Sequence, residues 1–244
     1  LFFIPLLALS VTAIIYGAYV TLMQKDMKRL IAYSSVSHMG FVTLGIFCLN
    51  QNGIEGGILQ MINHGIITGA LFLCVGMIYE RTHTRMIEDY GGLFKTVPIY
   101  VVFFTIFSLA AIGFPGMNAF IGEFLIISGA FKANMIIAAF SIVGVVLGAF
   151  YMVWLYYRIA LNEINTNTKA QLTDLDLREI ATLLPLVILV FLIGLQPEIL
   201  LSYMHVSVEH LLERIHATLP IENLPVYDSM ASFAQYFKEI IGWT

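Results

Sequence analysis

The sequence predicts an all-α integral membrane protein of about six transmembrane helices, one of them broken. Three observations carry this prediction: a large apolar excess, six long apolar stretches, and a glycine–proline–glycine interruption inside the longest stretch. Of 244 residues, 59% are apolar and 11% charged, with a mean hydropathy of +0.86. Soluble domains run at roughly 45–50% apolar and about 25% charged. A water-soluble fold of this size cannot hide the surplus, so much of the surface must face a lipid bilayer. The net charge of −4 is small, and no basic run of the kind that binds nucleic acid is present. Cys48 and Cys74 both lie in apolar runs and form neither a disulfide framework nor a CxxC knuckle. No catalytic, cofactor-binding or metal-ligating set stands out, so any electron transfer is expected in a partner.

A bilayer core about 30 Å thick needs about 20 apolar residues at ~1.5 Å each. The stretches that qualify are 1–23, 30–49, 56–79, 97–131, 134–157 and 180–195. In lipid each must be a helix, because backbone groups there find no water. The first lacks a basic flank and a small-residue cleavage site, which argues against a signal peptide. It starts with Leu1, in mid-helix, so the chain reads as a fragment whose preceding helices are missing. The last is short and carries Pro185. These stretches make residues 1–195 a transmembrane domain, followed by a mixed polar and amphipathic tail over 196–244.

Basic residues near helix ends set orientation. The loops after the first, third and fifth stretches hold Lys25, Lys28 and Arg29, then Arg81, Arg85 and Lys95, then Arg158, Lys169 and Arg178. The opposite side receives Lys132, with Arg214 and Lys238 in the tail. The basic loops are therefore expected to face the cytoplasm or matrix, with both chain ends outward.

Polar groups inside such helices are costly and usually face a partner helix or water. Ser34, Ser37 and His38 share one face of the second helix at i, i+3, i+4. Gln60, Asn63, His64 and Thr68 form a similar stripe on the third, about 12 Å long. These are candidate channel-lining groups, with His38 and His64 able to hold or pass a proton near neutral pH. The alternative is that each imidazole bonds a neighbouring group and merely holds helices together.

The fourth stretch is far longer than one straight crossing requires. In its middle stand Gly113, Pro115 and Gly116, which favour unwinding. Such breaks expose backbone polar groups to ion sites in transporters. Glu123 follows eight residues after Pro115 and about 10 Å below the nearer surface. It is the only carboxylate well inside the six stretches, able to load and release a proton if burial and neighbours tune it. The competing reading is an interfacial glutamate on a tilted helix. In the fifth stretch, Gly144 and Gly148 have the GxxxG spacing of close helix packing.

The runs KDMKRLIAYSSVSHMG (25–40), QMINHG (60–65), YERTHTR (79–85), YGGL (90–93) and GFPGMNAFIGEF (113–124) occur in order over about 100 residues. Together they closely resemble the antiporter-like membrane subunits of respiratory NADH:quinone oxidoreductase, complex I. L-type and N-type members typically carry lysine in the broken helix. Glutamate, here Glu123, is typical of the M-type chain, called chain 4 in mitochondria. The resemblance implies a fourteen-helix family fold of which this chain is the last six helices. It further implies a proton-translocating, non-redox subunit. By carry-over, His64 and His38 pass protons from a central lysine and Glu123 discharges them to the outer side. NADH, FMN, Fe–S clusters and quinone would sit in partner subunits, beside L-type and N-type chains. The expected location is the bacterial inner (cell) membrane, with the mitochondrial inner membrane the second choice. The family's earlier half supplies a glutamate–lysine pair and a central lysine, and no intramembrane lysine occurs here. Two rivals share the fold: a multisubunit cation/proton antiporter and a membrane-bound hydrogenase arm. A purely structural scaffold is the third alternative.

Overall fold

The first helix, α1 (Phe3–Leu22), is predominantly apolar and ends before a short polar loop. The computed structural model describes residues 3–163 and 172–218. Asp26 opens α2 (Met27–Phe47) by accepting the Arg29 amide at 3.0 Å, which satisfies one of the N–H groups orphaned at a helix start. Asn50 does the same for α3 (Gln51–Thr82) through the Gly53 amide. The 83–97 segment holds a 3₁₀ turn at Ile87–Asp89 and the four-residue helix α4 (Leu93–Thr96). Pro98 stands at the start of α5 (Pro98–Ile112), where its missing N–H costs nothing. After the break come α6 (Asn118–Ala133) and α7 (Met135–Tyr156), the latter capped by Asn134 and continued by a π-turn at Tyr157–Leu161. A capping box of Asp176 and Glu179 starts α8 (Leu177–Leu195), which contains Pro185. The last described helix is α9 (Glu198–Thr218).

Among the described residues, five helices are long and apolar enough to cross a membrane, and they are α1, α2, α3, α7 and α8. At 15 residues, α5 reaches only about 22 Å and cannot cross alone. The stretch 97–131, expected to be one broken crossing, is α5 and α6 on either side of the interruption. Two differences from the sequence reading stand out. Helix α3 starts five residues earlier than position 56, so Glu55 lies within it. Part of the expected tail is the helix α9, while 219–244 lie outside the described residues.

The basic loops meet at one end of the bundle. There the Met27 amide donates to Arg85 O at 2.9 Å and the Ile87 amide to Lys25 O at 2.8 Å. Arg81 binds Glu179 bidentately, Nη1 to Oε1 at 2.8 Å and Nη2 to Oε2 at 2.6 Å, and its Nε reaches Thr173 O at 2.7 Å. Asp174 accepts the Ile99 and Tyr100 amides at 2.8 and 3.0 Å, capping α5 where Val97 has no side-chain acceptor to offer.

Helix α1 packs on α2 and α7, and α3 packs on α2 and α6. A Cβ on Gly144 would collide with Ile14 and stand 3.2 Å from Phe41, so this glycine is what lets α1 and α7 approach. The other half of the GxxxG pair is looser, since a Cβ on Gly148 meets only the Tyr151 hydroxyl at 3.8 Å. Overpacking costs about 1–3 kcal/mol. Gly144→Leu is accordingly expected to lower the melting temperature of the purified protein, and Gly148→Ala to leave it near wild type.

Candidate functional site

Helices α2, α3, α6 and α7 bring four polar side chains together beside the break. Helix α2 supplies His38, which is 8% exposed, and α6 supplies Glu123, which is 6% exposed. His38 Nδ1 lies 3.4 Å from Glu123 Oε1. On the other side of the ring, Nε2 lies 3.1 Å from the hydroxyl of Tyr151, a fully buried residue of α7. Gln60 of α3 donates from Nε2 to Glu123 Oε1 at 3.2 Å. The His64 ring, also on α3, is centred 5.5 Å from that of His38 and tilted by 39°. Thr68 Oγ1 lies 3.2 Å from His64 Nδ1. A cavity of about 10 Å³ between Ser34, His38, Gln60, His64, Ile67 and Thr68 has room for about one water molecule.

The break gives this cluster its shape. Helix α5 ends in a Schellman motif: the Gly113 amide returns to Ala110 O and the Phe114 amide to Leu109 O, both at 3.1 Å. That closure needs a left-handed residue, and Gly113 has φ +76. Gly116 repeats the left-handed backbone at φ +89, and Pro115 between them is exposed. Helix α6 then restarts at Asn118, whose carbonyl accepts from Asn63 Nδ2 at 2.7 Å. Asn63 is therefore a clamp on the start of α6. Close approach of α3 and α6 is possible because a Cβ on Gly122 would run into Gln60.

The remaining predicted residues divide between cavity and scaffold. Ser34 lines the cavity, and its hydroxyl donates to Ile31 O at 2.8 Å. Ser37 faces the other way and donates to Ile14 O at 2.8 Å, tying α2 to α1. His64 and Thr68 line the cavity.

Two ionisable or polar residues escape the sequence reading. Tyr151 sits in an apolar run where a hydroxyl needs a partner, and that need is the signal that could have found it. Glu55 is a second buried carboxylate, 6% exposed, so Glu123 is not alone inside the helices. Its Oε1 lies 2.8 Å from His205 Nδ1 on α9, and Gln51 bonds the same oxygen. The Asn50 cap at the true start of α3 marks it as helical.

In sequence and in fold the chain is similar to known membrane proteins. Residues 3–150 match the family described as NADH:quinone oxidoreductase/Mrp antiporter, TM. Over 211 residues the chain is 47% identical to NADH-quinone oxidoreductase subunit M of Rhodobacter capsulatus, covering 86% of this chain and 41% of that protein. Identity to NADH-ubiquinone oxidoreductase chain 4 of Marchantia polymorpha is 47% over 214 residues, covering 87% and 43%. The chain thus spans less than half the length of the curated relatives it matches. A chain of respiratory complex I from Thermus thermophilus superposes with a TM-score of 0.83 at 33% identity, covering 87% of this chain and 44% of that one. The Mrp complex from Dietzia sp. DQ12-45-1b gives 0.78 at 20% identity, covering 87% and 48%, a likeness of fold alone. The chain belongs to the NADH:quinone oxidoreductase/Mrp antiporter membrane family, and within it resembles the subunit M and chain 4 members.

Proposed function

We propose that this chain is part of a proton-translocating membrane subunit of NADH:quinone oxidoreductase. In this reading electron transfer from NADH to quinone, in partner subunits holding FMN and Fe–S clusters, drives protons across a membrane. The observation that carries the reading is His38, which faces a carboxylate through one ring nitrogen and a phenol through the other. An imidazole so placed can take a proton on one nitrogen and give one up from the other. The sequence of carriers is His64, then His38, then Glu123, with the small cavity between the two rings as the first step. Charge shifts in neighbouring L-type and N-type chains load and empty Glu123. Gln60 donates to that carboxylate and holds its Oε1 beside His38. The bacterial cell membrane is the proposed location, in keeping with the bacterial relatives.

The test uses the assembled complex in inverted membrane vesicles, wild type against Glu123→Gln, following NADH oxidation and NADH-driven acidification in one sample. The expected result is that acidification falls several-fold more than oxidation does. Wild-type values of both would leave Glu123 a structural residue and the scaffold reading standing. The Mrp-like fold supports a second reading as a cation/proton antiporter. Proton movement driven by a sodium gradient, with no response to NADH, would establish it.

A further inference from the structure

Gly113 carries two constraints that are separable. One is its left-handed backbone, φ +76, which an L side chain adopts only with strain. The other is spatial. A Cβ built on Gly113 would stand 2.7 Å from Glu123 Oε2, with Glu123 Cδ next at 3.5 Å and Phe120 Cα at 3.9 Å. The tight contact is therefore with the carboxylate itself. Gly116, three residues on, shares the backbone constraint at φ +89, yet a Cβ there meets only Leu195 Cδ2 at 3.9 Å.

We propose that Gly113 is the seat of the Glu123 carboxyl group: the missing side chain at the break leaves the space in which Oε2 rests, while Oε1 is held by Gln60 and lies beside His38. The inference rests on the reading of Glu123 as a proton carrier, and it names the residue that positions it. Gln60 and His38 both approach Oε1. Oε2 is turned toward the unwound segment. The seat therefore determines which oxygen meets the incoming proton and which faces the break. A methyl group at position 113 would push Oε2 out, rotate the carboxyl plane, and draw Oε1 off Gln60 and His38. Misplacing a reacting group by about 1 Å can slow its chemistry about a hundredfold. The break would then serve two ends with one residue, ending α5 and shaping the pocket of a side chain ten residues later.

The experiment compares Gly113→Ala with Gly116→Ala in the assembled complex. Both carry the left-handed strain, and only the first crowds Glu123. Two readouts are taken. One is NADH-driven acidification per NADH oxidised. The other is the infrared carboxyl band of Glu123, identified by its loss in Glu123→Gln and titrated with pH. The expected result is that Gly113→Ala loses acidification about tenfold beyond Gly116→Ala and moves the midpoint of the band by about one pH unit or more. Shortening the side chain by one methylene in Gly113→Ala/Glu123→Asp makes room again and is expected to recover part of the lost pumping. If the two glycine variants pump alike and titrate alike, the seat is refuted, whatever Glu123 does. If Glu123→Gln pumps like wild type, the carrier reading fails, and the infrared titration still decides whether Gly113 positions the carboxyl.

Discussion

Replacing His38 by glutamine is expected to cut proton pumping about a hundredfold while leaving the protein folded. The magnitude is that of a positioned proton-transfer group, whose loss typically costs about 10²–10⁴-fold. Glutamine keeps a polar side chain of similar reach, able to bond Tyr151 or Glu123, yet it cannot carry a proton at neutral pH. The two nitrogens of His38 lie 3.1 and 3.4 Å from the partners on α7 and α6, so both hydrogen-bonding positions lose their titratable centre at once. Acidification in inverted vesicles measures the loss, and a melting curve of the purified complex shows that folding is intact. Equal pumping in the variant would mean that the imidazole only holds helices together. Tyr151 predicts the companion result. Its hydroxyl can donate to a neutral imidazole or accept from a charged one, so Tyr151→Phe should shift the pH profile of pumping more than its maximum.

The second large effect falls on stability, at the basic end. Arg81 and Glu179 form a bidentate pair with side chains 15% and 8% exposed, and Arg81 also holds Thr173 and Asp174 through their carbonyls. Removing one partner of a buried pair costs about 3–5 kcal/mol, because the other charge is left without compensation. Arg81→Ala should therefore lower the melting temperature by about 10 °C for a unit of this size. The double variant Arg81→Ala/Glu179→Leu should recover much of that loss, since it removes the stranded carboxylate as well. If the double variant is no more stable than the single one, the cost lies in the lost carbonyl bonds of the 173–174 segment instead.

The crossings, the break and both histidine faces were legible in the sequence because each is a local pattern. Length and apolarity define a span, and glycine beside proline defines an interruption. The beginning of α3 was hidden because Gln51, Asn52 and Glu55 dilute its first turns, so an apolarity count starts the helix too late. An Asn cap with Gly53 three residues on is the better marker. Helix α9 was hidden for a similar reason. Its inward positions Met204, Val208 and Leu212 recur at helical spacing, but Ser202, His205, Ser207, Glu209, Glu213 and Arg214 stand among them and lower its mean apolarity. Ser37 and Asn63 could not be placed from the sequence, because their partners, Ile14 O and Asn118 O, lie 23 and 55 residues away. A stripe of polar residues shows that partners are needed. Whether the partner is a cavity or a distant carbonyl is decided only by how the helices assemble.

The capping of α5 by Asp174 has a consequence for the time course of biosynthesis. Ile99 and Tyr100 lie about 75 residues ahead of the carboxylate that accepts their amides. Chains emerge from the ribosome N-terminus first, at about 5–20 residues per second. The start of α5 must therefore wait several seconds, with two amide groups facing the aqueous boundary, until the segment before α8 arrives to close over it. A ribosome stalled after α7 would leave a bundle with His38, Gln60, Glu123 and Tyr151 already made and its half-helix not yet tethered. Protease added to such nascent chains should cut between Thr96 and Tyr100, and that cleavage should vanish once residue 174 has been translated.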